Sequence, residues 1–136
     1  MARPPLVPRR SGSIEYRLKR NTLLYNINEG VVMVEDACDA HPELIRAAKG
    51  VGRGMGEMCP ICAESELRQV VYVFGDKLPA SGICPVSRSD LRSYEQRDLP
   101  VTCYAVEVCV ACRFNHLLRK WEAGGPRPEA RRSRAF

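Results

Sequence analysis

Two cysteine pairs carry the clearest chemistry in this chain: Cys59-Pro60-Ile61-Cys62 and Cys109-Val110-Ala111-Cys112, with residues 63 to 108 between them. A Cys-x-x-Cys turn aims two thiolates at one cation, and two such turns complete a tetrahedral four-sulfur shell. The expected metal is a single structural zinc ion, Zn2+, held by Cys59, Cys62, Cys109 and Cys112. Four thiolates leave no coordination position open for water or substrate, so the chain is expected to be no enzyme. The competing chemistry is thiol–disulfide exchange or redox sensing by the same pairs, since such turns lower a thiol pKa and exposed zinc thiolates oxidise. A thioredoxin-like pair opens a helix after a strand. Here Cys59 follows a Gly-rich stretch and precedes a strand-like run, which disfavours that alternative.

The other thiols and imidazoles fit less demanding roles. Cys38 and His41 have metal-ligand spacing, but two complete pairs already fill the shell, so they read as a buried thiol and a cap or exposed ring. His116 follows Cys112 by four residues and could replace a cysteine; on a strand beside the site it reads instead as a hydrogen-bond donor or a packed ring. Cys103 falls mid-strand as a core thiol, and Cys84 falls in a loop without an assigned role. No Ser–His–Asp set and no carboxylate pair with a credible pocket is present. The run Gly50-Val51-Gly52-Arg53-Gly54-Met55-Gly56 lacks the Gly-Lys-Ser/Thr ending of a phosphate loop.

The elements around the pairs predict an α+β chain: a helical N-terminal segment followed by a three-stranded antiparallel zinc ribbon with a helical insertion. Ser13 caps a helix over 14–28 with Ile14, Leu18, Thr22 and Tyr25 as its apolar stripe and Leu24 and Ile27 close to it. Short helices follow over 34–39 and 42–49, with Pro42 in the first turn of the latter. Strands are expected over 67–74, 101–108 and 114–121, and a short helix through 91–97 capped by Ser87 or Ser89. The division is 1–12 as a disordered basic arm, 13–49 helical, 50–57 a Gly-rich linker, 58–122 the ribbon and 123–136 a disordered basic tail. Zinc knuckles favour Gly just after the second Cys, where φ turns positive; this chain has Ala63 and Arg113 there, at a cost of roughly 1 kcal/mol or somewhat more each.

Net charge is +5 over 136 residues, unevenly placed. Residues 1–20 carry six Lys or Arg and one Glu, and 113–136 carry seven and two, around an acidic middle. Basic ends suit a partner such as nucleic acid or a ribonucleoprotein or transcription complex. The expected contacts are Arg9, Arg10, Arg17, Arg20, Arg119, Lys120, Arg131 and Arg132, with Arg68, Tyr72, Tyr104 and Trp121 adding a basic–aromatic surface. The alternative is a protein–protein adaptor engaged through the N-terminal helices. No apolar run reaches the roughly 20 residues of a membrane span and no signal peptide opens the chain, so a cytoplasmic protein with reduced cysteines is expected, without a membrane or small-molecule partner.

The segments Cys59-Pro60-Ile61-Cys62, Val71-Tyr72-Val73-Phe74-Gly75-Asp76, Tyr104-Ala105-Val106-Glu107-Val108-Cys109 and Asn115-His116-Leu117 resemble a family of small actinobacterial proteins carrying a domain of unknown function. Arg3-Pro4-Pro5-Leu6-Val7-Pro8-Arg9-Arg10, Ser13-Ile14-Glu15-Tyr16-Arg17 and Cys38-Asp39-Ala40 fit the same resemblance. It implies a cytosolic zinc-ribbon protein of actinobacteria and no established activity.

Overall fold

Runs of β-branched and aromatic residues build the centre of the molecule. The structure, a computed structural model, describes residues 13–125. In chain order the elements are β1 (Ile14–Glu15), α1 (Arg17–Asn28), α2 (Val34–Ala37), α3 (Pro42–Val51), β2 (Arg53–Met58), β3 (Glu66–Gly75), α4 (Arg88–Glu95), β4 (Pro100–Val108) and β5 (Asn115–Gly124). The strands form one antiparallel sheet in the order β1-β5-β4-β3-β2. The three strands expected from sequence are its middle, and two edges extend it to five.

Both edges correct the sequence-based picture. The Gly-rich stretch expected to be a linker ends α3 and then forms β2, paired with β3. Its glycines serve close approach: a Cβ on Gly52 would lie 2.4 Å from the Ala48 carbonyl oxygen, and Gly56 sits at φ 77° where the β2–β3 register shifts. At the other edge, Ile14 and Glu15 extend along Lys120 and Arg119 instead of starting a helix from Ser13. Helix α1 therefore starts at Arg17 without a side-chain cap. Its buried stripe is also different. Arg20, Leu23, Leu24 and Ile27 turn inward, while Leu18 and Tyr25 are 82% and 64% exposed. The i, i+3, i+4, i+7 spacing of that inner set is as helical as the expected one, and Arg20 is admitted because Glu107 waits for it.

The other helices keep close to expectation. Pro42 opens α3, and the His41 ring caps it, Nδ1 accepting the Glu43 N–H at 3.0 Å. Ser87 caps α4 by accepting the Asp90 N–H at 3.1 Å.

Helices pack against part of each face of the sheet. On one, Leu91 of α4 packs over Val71, Val73, Cys103, Ala105 and Trp121, and further along α1 covers Leu67 and Phe114. On the other, α3 sets Ala48, Leu44 and Ile45 against Val70 and Val108. A bulge decides which β5 residues reach which face. Ala105 opposes Arg119 and Val106 opposes Leu117, so Leu118 is the extra residue, itself buried. Simple alternation separates His116 from Trp121 and groups Trp121 with Leu117; the bulge instead puts His116 and Trp121 on one face, and Leu117 and Lys120 on the other.

Candidate metal centre

The two Cys-x-x-Cys turns adopt the same local structure. In the first, Cys59 N–H donates to the Ser65 carbonyl at 2.9 Å and Ala63 N–H to the Cys59 carbonyl at 3.0 Å. In the second, Cys109 N–H donates to Phe114 at 2.8 Å and Arg113 N–H to Cys109 at 2.9 Å. Ala63 and Arg113 take φ 57° and 73°, the left-handed conformation anticipated at those positions. That turn points backbone amides at sulfur: Ile61 N–H to Cys59 at 3.3 Å, Glu64 N–H to Cys62 at 3.5 Å and Cys112 N–H to Cys109 at 3.5 Å.

Strands β3 and β4 bring the turns together at one end of the sheet. The Sγ atoms of Cys59, Cys62, Cys109 and Cys112 all lie within 4.8 Å of one another. The Cys59–Cys112 and Cys62–Cys109 separations are 3.7 and 3.6 Å. A tetrahedral ion with metal–sulfur bonds of about 2.3 Å sets sulfurs roughly 3.8 Å apart, whereas a disulfide needs about 2.05 Å. The cluster thus has the dimensions of a metal shell, and its cysteines are free thiols. Burial pushes the Cys59 and Cys112 thiols up, against the backbone N–H groups that favour thiolate. At Cys109 burial is outweighed by the N–H groups of Cys112 and Ala111 and by the neighbouring sulfurs, and its thiol is held below the ordinary value. Crowded thiols resist ionising together unless a cation enters among them, so these four could hold one metal ion.

A second layer ties the helical segment to the site. The Arg113 guanidinium donates to the Ala40 carbonyl, through Nε at 3.0 Å and also through one terminal nitrogen, and Ala40 N–H returns a bond to the Arg113 carbonyl at 3.0 Å. Asn115 adds a bond to Asp39 at 3.0 Å. This explains why the second turn tolerates Arg at a position that favours Gly. The same staple places the Cys38 sulfur 3.7 Å from that of Cys112. Sequence spacing had Cys38 as a buried thiol of a helix pair; only the tertiary fold sets it against the cluster. His116 lies opposite Glu107 on the sheet, its Nδ1 2.7 Å from the Leu117 carbonyl, and Cys103 is a core thiol.

The basic residues expected to meet a partner are dispersed. Arg20 is buried in an ion pair with Glu107, and Arg119 pairs with Glu15 across the β1–β5 edge. Arg68 donates to the Ala48 and Gly52 carbonyls at 2.8 and 3.1 Å, closing the C-terminus of α3, and the Trp121 indole is buried with its N–H on Glu95 at 2.7 Å. Arg17 is exposed. Arg9, Arg10, Arg131 and Arg132 lie outside the described residues, as do most of the arm and tail. Tyr72, Tyr104 and Lys120 do share a surface. With Phe74, Val106 and Leu117, the two tyrosines line an open hollow of about 440 Å³. Phe74 stacks with Tyr72 at 6.3 Å and meets Tyr104 edge-on at 5.7 Å, and the Lys120 ammonium lies 5.8 Å from the Tyr104 ring centre. Burial, with the Cys84 thiol beside it, raises the Tyr72 phenol to about 12. Phe74 was missed as a surface residue, although its two-residue spacing from Tyr72 puts both rings on one face.

No helix among the described residues is long and apolar enough to cross a membrane. Residues 7–136 match the model of a family of unknown function, DUF5318, and the chain belongs to that family. It is 36% identical over 115 residues to the uncharacterized protein Rv0049 of Mycobacterium tuberculosis, covering 85% of this chain and 84% of that protein. The uncharacterized protein Mb0050 of Mycobacterium bovis is similar to the same extent. These relatives agree with the actinobacterial resemblance. No solved structure matches significantly.

Proposed function

We propose that this chain is a non-enzymatic module built on one structural zinc ion, and that its open sheet face binds single-stranded nucleic acid, free or within a ribonucleoprotein or transcription complex. The observation carrying the zinc assignment is the four-sulfur cluster, all within 4.8 Å of one another with two edges at 3.6 and 3.7 Å; filled by a tetrahedral ion, it would leave no ligand position for chemistry. Seven free cysteines suit the reducing cytoplasm. The zinc would fasten the two turns to each other, and with them the ends of β3 and β4.

Support for the nucleic-acid face is the grouping of Tyr72, Phe74 and Tyr104 beside Lys120. Aromatic faces accept any base by stacking, and the basic termini add phosphate attraction that weakens with salt. A second reading, a protein adaptor, draws on a different surface: Leu18, Tyr25, Val31 and Met33 of the N-terminal segment are 63% exposed or more.

Fluorescence anisotropy with a labelled oligo-uridine and an oligo-thymidine separates the two. Nucleic-acid binding predicts an affinity that falls steeply with salt and drops at least fivefold in Tyr104→Ala, one stacked base being worth about 1–3 kcal/mol. No binding at low salt sinks the nucleic-acid reading. A pulldown partner lost on Leu18→Asp or Tyr25→Asp, with Tyr104→Ala inert, establishes the adaptor instead.

A further inference from the structure

Five thiols meet at a site that needs four. Cys38 lies outside the tetrahedral set, yet its sulfur is as close to Cys112, at 3.7 Å, as the ligands are to one another. It comes from a different part of the chain, just after α2, and is held there by the bonds of Arg113 and Asn115 to residues 39 and 40. Access also differs across the cluster: Cys59 and Cys109 are buried, whereas Cys38, Cys62 and Cys112 are half-buried, and of the last two only Cys112 has Cys38 against its sulfur. A small oxidant therefore reaches Cys112 where Cys38 already adjoins it.

We propose that Cys38 is the resolving thiol of the metal centre, an oxidative modification site that captures Cys112 and releases the ion. This rests on the zinc reading above. The oxidant is a hydroperoxide. The Cys112 sulfur attacks one peroxide oxygen and the O–O bond breaks, giving a sulfenic acid at Cys112 and, from hydrogen peroxide, one water once the departing hydroxide is protonated. The Cys38 sulfur then attacks the Cys112 sulfur. An S–S bond forms, the S–O bond breaks, and the hydroxyl leaves with the Cys38 proton as a second water. Two thiols are oxidised and one peroxide is reduced to two waters. The centre is left with three thiolates and loses its ion, while the disulfide links the α2–α3 connection to the second turn. A spare thiol outside the shell makes the oxidation reversible, because it stops Cys112 at the disulfide before the irreversible sulfinic stage.

The test uses zinc-loaded full-length protein treated with one to a few equivalents of hydrogen peroxide. Zinc release is followed with a chromogenic indicator, and disulfides are mapped by peptide mass spectrometry. The expected result is a Cys38–Cys112 link forming as zinc is released, with reductant and zinc restoring the starting state. Cys38→Ser should bind zinc before treatment, form no such link, accumulate sulfinic or sulfonic acid at Cys112, and fail to recover with reductant. Cys84→Ser, away from the cluster, should behave as wild type. Links confined to Cys59–Cys62 or Cys109–Cys112, or full recovery of Cys38→Ser, overturn the proposal. Untreated protein without zinc refutes the metal reading and this proposal together; zinc with the wrong link refutes this proposal alone.

Discussion

Replacing the two left-handed residues of the metal turns by Gly should have opposite effects, although the substitutions look equivalent in sequence. Ala63 and Arg113 hold φ 57° and 73°, a conformation that costs an L-residue about 1–2 kcal/mol and Gly almost nothing. Gly also loosens the unfolded chain, which returns about 0.4–1 kcal/mol. Ala63 is exposed and its side chain has no polar group to lose, so Ala63→Gly should stabilise by roughly 0.5–1 kcal/mol. Arg113→Gly gains the same backbone relief but breaks the guanidinium bonds to the Ala40 carbonyl. Bonds to a charged donor are worth about 1.5–3 kcal/mol, and Ala40 is 1% exposed, so its carbonyl would be left poorly solvated. The net expectation is a loss of roughly 1–2 kcal/mol. Urea unfolding of the metal-loaded variants reads both, as midpoints at unchanged slope. Stabilisation of similar size in both would refute the assignment of Arg113 as the staple between the helical segment and the second turn.

Native mass spectrometry with metal analysis should find one zinc per chain in wild type and none in the Cys59→Ser, Cys109→Ser double variant, which should also lose the cooperative fold; a metal-free, well-folded wild type would exclude the ribbon. Arg20→Leu or Glu107→Leu alone should each cost about 3 kcal/mol or more, since each strands a buried charge, while the double variant should recover most of that loss in the same urea assay; additive losses would mean that the pair does not act as one. Burial holds the Glu107 carboxyl above its ordinary range, with Arg20 opposing. A raised folded value means that the stabilising contribution is complete below the ordinary carboxylate range and is lost as pH rises through the raised one, so wild type should lose stability relative to Glu107→Gln as pH climbs above the ordinary carboxylate range. A constant difference across that range would show that the carboxyl is not shifted.

The four-cysteine cluster was legible without a structure because Cys-x-x-Cys is local chemistry: two residues between cysteines suffice to define the turn. The same locality made the strands over 67–74 and 101–108 readable and placed Ser87 and Pro42 at helix starts. What failed depended on distant partners. Residues 50–56 are Gly-rich enough for a linker, and they form β2 only because β3 offers an edge and Glu66 accepts the Gly56 N–H at 2.6 Å. Arg20 looked like a surface cation, since nothing near it in sequence reveals that Glu107 needs a counter-charge. The bulge at Leu118 reversed the β5 pattern, and no period-two count of one strand can register an extra residue defined by its neighbour.

The chain by itself therefore determined the two cysteine pairs of the cluster, the left-handed turns after them and the three central strands, because spacing and backbone sterics act over a few residues. Tertiary structure alone decided that the sheet has five strands, that Arg20, Arg68 and Arg119 are structural, that Tyr72, Phe74 and Tyr104 share an open face, and that Cys38 stands beside Cys112. Those outcomes depend on which remote residues arrive at the same place, and contact across tens of residues leaves no periodic mark on either segment.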